Sequence, residues 1–148
     1  MDGALGNCVI MKKYETFSTT ADVGIRIRGK DYEDLFQNAV KGLNLLYFGE
    51  PEDTVTGGNA VYPFEFRGDS CENVLVNVLS EIVFLLQNQN KITTGMTIKA
   101  IDETYIDANL LTIPCNREPE MEIKSVTYHN LRIEEENGIL STEIVFDV

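Results

Sequence analysis

One histidine, three cysteines, few basic residues and no long apolar run mark this 148-residue chain. Cys8, Cys71 and Cys115 lie far apart and contain no Cys-x-x-Cys pair, which argues against a disulfide framework and against a thiolate zinc site. Buried or idle thiols are the expectation. His129 has no G-x-S-x-G elbow and no papain-like cysteine context to complete a hydrolytic triad, and it reads as a local structural or hydrogen-bonding residue. Gly57-Gly58 is not followed by Lys-Ser/Thr, and no G-x-G-x-x-G follows a strand, so no phosphate cradle is expected. The longest strongly apolar stretch, Val74 to Leu86, is broken by Asn77, Ser80 and Glu81. It falls short of the roughly 20 residues a membrane span needs. The first ten residues carry no Lys or Arg ahead of Cys8, Val9 and Ile10, so they lack the parts of a secretion signal. A cytoplasmic protein with no membrane partner is expected.

Basic charge is scarce as well: 12 Lys and Arg stand against 24 Asp and Glu, a formal net charge of −12. Residues 102–148 hold 11 acidic and 3 basic side chains. Such a surface repels phosphate, and no Lys/Arg stripe is present to track a nucleic-acid backbone; the one dense basic cluster is Lys12, Lys13, Arg26, Arg28 and Lys30. Strong direct nucleic-acid binding is therefore not expected. A basic partner or a cation fits better, with plain solubility charge as the alternative.

What the chain does contain is an ordinary core. With 43% hydrophobic and 24% charged residues it matches a globular composition, and nothing rich in Gly, Pro or Ser divides it into domains. From Asp31 to Phe48 the apolar positions Tyr32, Leu35, Phe36, Ala39, Val40, Leu43, Leu46 and Tyr47 follow helical period, with Asp31 as N-cap and Gly49 then Pro51 as stops. A second helix over Ser70–Gln87 has apolar residues on one face, but Val76 and Val83 fall on the other, which predicts packing on two sides. Alternation at Val23/Ile25/Ile27, Tyr62/Phe64/Phe66 and Met96/Ile98/Ala100 predicts strands. Asn137-Gly138 between two apolar runs predicts a type I′ hairpin, and Asn116–Met121 reads as a loop. The fold class expected is α+β: a single compact domain of mostly antiparallel β-sheet layers with two amphipathic α-helices.

Three oxygen-bearing positions stand at strand ends. Asp22 precedes the strand that begins at Val23, Asp147 closes the last strand, and Val148 adds a main-chain carboxylate beside it. Together they would make an all-oxygen cage of the kind Ca²⁺ or Mg²⁺ prefers. The alternative is a frayed end with solvated charges.

The segments that carry a family likeness are TADVG at Thr20–Gly24, continuing IRIRG and a Leu-Phe-x-x-Ala helix at Leu35–Ala39; EIKSVTYH at Glu122–His129; and VFDV at Val145–Val148. In this order they resemble archease, the small activator of RtcB-type tRNA-splicing ligases. The likeness covers residues 12–148, read as one archease-like domain, with residues 1–11 as an N-terminal tail that is a candidate for disorder or lies ahead of a start at Met11. It implies an accessory protein rather than an enzyme, one that promotes guanylylation of the ligase's active-site histidine by GTP, allows multiple turnover and relaxes nucleotide choice. The link to tRNA would be indirect, through the ligase. The resemblance further implies a bound divalent cation, calcium with Mg²⁺ or Mn²⁺ as alternatives, on Asp22, Asp147 and Val148, and a functional role for Lys124. Thr19 departs from the family, which commonly has a histidine before TAD. Two other readings stay open: a chaperone or specificity modulator of a tRNA-modifying enzyme, and a metal-dependent hydrolase using Asp22 and Asp147 with a bound water.

Overall fold

The computed structural model describes residues 12–49, 60–128 and 130–148. The readings of residues 1–11, of Cys8 and of His129 lie outside the described residues. Helix α1, Tyr32–Phe48, begins where Asp31 accepts a hydrogen bond from the Asp34 N–H at 2.8 Å, with Glu33 and Asp34 in the first turn complementing the helix dipole. It ends at Gly49, whose φ of 73° suits a residue without Cβ. Helix α2, Cys71–Gln89, is capped by Ser70, which accepts from the Asn73 N–H at 3.1 Å, and is stopped by Asn90 in the left-handed region.

Among the described residues eight strands form two sheets, and every pairing is antiparallel. β1 (Tyr14–Ser18), β2 (Val23–Gly29) and β8 (Ile139–Asp147) lie side by side in the first sheet, with β6 (Ser125–Val126) and β7 (Glu134–Glu136) both on the far side of β8. The second sheet has the order β3 (Ala60–Arg67), β5 (Tyr105–Pro114), β4 (Lys91–Asp102). Between them lie the helices. α1 packs on β1, β2 and β8 of the first sheet and on β4 of the second, while α2 packs on β6 of the first and on β3, β4 and β5 of the second. Two-sided packing was expected of α2 and holds for α1 too. Its buried positions run from Leu35 and Phe36 through Asn38, Ala39, Val40 and Gly42 to Phe48, more than one stripe can supply.

Leu35, Leu43, Leu79, Ile106, Leu110 and Ile144 are fully enclosed in this middle layer. Burying each such side chain is worth roughly 1.5–3 kcal/mol. Carboxamides knit helices to strands. Gln37 donates to the Met96 carbonyl at 2.6 Å and accepts from the Met96 N–H at 3.4 Å, and Asn44 donates to the Thr93 carbonyl at 2.7 Å. Both contacts occupy backbone groups of β4, an edge strand, and so blunt its capacity to pair with another chain.

The Asn137-Gly138 hairpin joins β7 to β8, with positive φ at both turn residues, 55° and 80°. Among the described residues of the EIKSVTYH segment, only two form a strand. Only Ser125 and Val126 pair with β8, opposite Asp147 and Phe146; the Thr127 N–H still reaches the Val145 carbonyl at 3.0 Å, and then the chain departs. When it returns, Glu134 stands opposite Ser141, so this side of β8 carries three more residues than β8 itself over the same span. The surplus is absorbed in a turn that the Leu131 N–H closes on the Tyr128 carbonyl at 3.0 Å, with Asn130 at φ 54°.

Candidate functional site

The register of the first sheet brings the distant carboxylates together. Val23 pairs with Phe146, so Asp22, one residue earlier, and Asp147, one residue later, flank the same rung on neighbouring strands. Phe146 points into the helix layer and is buried, which by strand alternation places Asp147 on the outer face. On the other side of β8, Ser125 pairs with Asp147, and the Lys124 N–H donates to the Asp147 carbonyl at 2.7 Å. Three adjacent chain segments thus deliver Asp22, Asp147 and Lys124 to one end of one sheet, and Val148 follows at once.

Like charges brought near one another at a sheet end repel unless a cation intervenes. Among the described residues neither carboxylate forms an ion pair; the pairs there are Arg26 with Glu143 at 2.7 Å and with Glu15 at 3.8 Å. Hard carboxylate oxygens match the donors that Ca²⁺, Mg²⁺ and Mn²⁺ take. No three His, Cys, Asp or Glu side chains among the described residues converge as a metal site. A cation here would draw on Asp22 and Asp147 and would need main-chain oxygens, such as that of Val148, and water for its other positions.

One rung inward the outer face is closed tightly. A Cβ on Gly24 would stand 2.2 Å from the Ile144 carbonyl oxygen and 2.6 Å from the Phe17 ring, so the glycine of TADVG is there because Phe17 lies across it. The Arg26 guanidinium stacks on that ring, 4.5 Å from its centroid. Where the chain leaves β6, Tyr128 is 52% exposed while its hydroxyl oxygen accepts from Asn73 at 2.6 Å and from Asn77 at 3.4 Å. Sequence reasoning did not find this tie, because nothing local connects residues 73 and 128.

Cys71 and Cys115 are free and half-buried. Burial, followed by a hydrogen bond from the thiol to the Glu72 carboxylate, pushes the Cys71 thiol above its ordinary range, which keeps it protonated and unreactive. The Glu72 carboxyl is drawn below its ordinary range: burial opposes ionisation, and the Ile133 N–H among other donors outweighs it. Among the described residues no helix is long and apolar enough to cross a membrane.

The fold defines a class: an α+β domain with a helix layer between two antiparallel sheets. The chain belongs to the archease protein family (MTH1598/TM1083), whose model matches residues 14–148. It is similar to the protein archease of Thermoplasma volcanium, 30% identical over 91% of this chain and 98% of that one, and to that of Thermoplasma acidophilum, 31% identical over 91% and 93%. In fold it resembles the solution structure of protein 1598 from Methanobacterium thermoautotrophicum, with a TM-score of 0.68, 23% identity, and coverage of 93% of this chain and 100% of that one. It likewise resembles a crystal structure from Thermotoga maritima, described as an archease and possible chaperone, with a TM-score of 0.62, 19% identity, and coverage of 95% and 100%.

Proposed function

We propose that this protein activates an RtcB-type tRNA-splicing ligase by promoting guanylylation of the ligase's histidine with GTP and repeated turnover. The observation that carries the reading is the convergence of Asp22, Asp147 and Lys124 on one sheet end through the pairings of β2, β8 and β6. Membership of the archease family supports it, and so does the description of the Thermotoga structure as a possible chaperone, which fits action on a partner protein.

Attack on the α-phosphorus of GTP builds negative charge on phosphate oxygens, which preorganised positive groups stabilise. Asp22, Asp147 and a main-chain oxygen of Val148 would hold a divalent cation, which when bound supplies Lewis-acid charge stabilisation. Lys124, on the segment hydrogen-bonded to Asp147, presents a compact ammonium at the same end. The chain's net charge of −12 favours a basic protein surface over a nucleic acid. Asp22→Ala and Asp147→Ala should each lower Ca²⁺ affinity about tenfold or more, about 1.4 kcal/mol, by calorimetry, and should remove stimulation of ligase guanylylation while the thermal midpoint in chelator is kept. Unchanged Ca²⁺ and Mg²⁺ affinity in both variants would remove the cation from the reading. GTP turnover by this protein without ligase would instead mark an enzyme.

A further inference from the structure

We infer that Thr19 is the positioning residue for Asp22, through its side-chain hydroxyl. The inference rests on the reading of Asp22 as a cation ligand. Ladder pairing between β1 and β2 ends at Ser18 opposite Val23, and that between β2 and β8 ends at Val23 opposite Phe146, so Asp22 has no ladder partner. Both of its main-chain polar groups go to Thr19. The Thr19 N–H donates to the Asp22 carbonyl at 2.7 Å, and the Asp22 N–H donates to the Thr19 Oγ1 at 2.9 Å. The Ala21 N–H shares the same acceptor at 3.2 Å.

In an ordinary two-residue hairpin the flanking residues exchange two backbone hydrogen bonds. Here the first is present, and a side-chain oxygen takes the place of the second acceptor. The direction in which Asp22 leaves the backbone therefore depends on one hydroxyl. Asp147, by contrast, is held by main-chain pairing with Ser125 and by the Lys124 N–H, and no side chain sets its backbone. Thr19, Thr20 and Ala21 are exposed. Water can satisfy the two N–H groups once the hydroxyl is gone, so its removal costs little in folding stability and is felt in the aim of the carboxylate. Groups that orient a metal ligand typically matter 10–100-fold for affinity.

The test is calcium titration of the full chain by calorimetry, with melting in chelator as the control for structure. Thr19→Val keeps the shape and deletes the hydroxyl; it should weaken Ca²⁺ binding about tenfold while the melting midpoint stays within about 2 °C of the parent. Thr19→Ser keeps the hydroxyl and should bind within about twofold of the parent. Thr19→Ala carries the same comparison if the valine variant does not fold. Parent affinity in Thr19→Val alongside loss in Asp22→Asn overturns the role of Thr19 and leaves the cation reading standing, as does a lowered midpoint with unchanged affinity. Parent affinity in Asp22→Asn overturns both.

Discussion

The two sheets of this protein share one helix layer and differ in almost everything else. β3, β5 and β4 form a sheet joined mainly through a long hairpin, and β5 alternates half-buried and buried residues along nearly its whole length. The first sheet is pieced together from segments far apart in sequence. Its β2 and β8 pair across more than a hundred residues, β1 connects to β2 through a side-chain-closed link, and the strand beyond β8 is broken in two. Every candidate site residue lies in or directly beside a strand of the first sheet. The second sheet has irregularities of its own, at Thr93/Gly95 and Ile98/Ala100 of β4, but they lie within one continuous hairpin, whereas the first sheet is interrupted between separate segments.

If that contrast is real, matched substitutions should separate the sheets. The largest effect is expected at Gly24 in β2, where an added methyl meets the Ile144 carbonyl and the Phe17 ring: Gly24→Ala should cost about 1–3 kcal/mol in urea unfolding. Next comes Gly138, at φ 80° in the hairpin leading into β8, where alanine should cost about 1 kcal/mol. A smaller effect is expected in alkali. The Tyr105 hydroxyl of the second sheet donates to Glu65, and this bond, with lesser help from burial and nearby carboxylates, pushes its pKa up to about 12. A folded-state value above the ordinary one of about 10 means a contribution intact below pH 10 and lost as pH climbs through about 12. Melting between pH 9 and 12 should therefore show a gentler decline in Tyr105→Phe. Tyr32 and Tyr47, both also raised to about 12 with burial as the first cause, keep the remainder of the slope. The smallest effect is expected at Gly95 in β4, where nothing lies within 4 Å of an added Cβ: Gly95→Ala should stay within about 0.5 kcal/mol of the parent. Equal penalties at Gly24 and Gly95 would erase the distinction.

Much of this architecture was readable from local chemistry. The helix cap at Asp31, the stop at Gly49 and the positive-φ pair Asn137-Gly138 are decided within four residues and appear where the sequence places them, and the second helix, expected over Ser70–Gln87, runs over Cys71–Gln89 with Ser70 as its cap. Strand faces were legible from period two. Partners were not, because alternation says which side of a strand is buried and nothing about which strand lies beside it. The adjacency of Asp22 and Asp147, the tie between Asn73 and Tyr128, and the interruption after Val126 all follow from long-range register. The second neighbour of α1, β4, belongs with them: a helical stripe reports the presence of a neighbour and does not count how many there are.

The pairing of β2 with β8 also sets an order in time. During synthesis at about 5–20 residues per second, the roughly 110 residues between the two strands take about 5–20 s to appear. Throughout that interval the edge of β2 that β8 will take stays unpaired. α1 emerges directly after β2 and packs on it, so the first nucleus available to the nascent chain is a ribbon under a helix, while β3, β5 and β4 complete their own sheet before β8 exists. The end of the sheet that carries Asp22 and Asp147 is then the last part of the molecule to become whole. A chain stalled short of β8 holds a finished second sheet, a covered ribbon and Asp22 without Asp147 beside it.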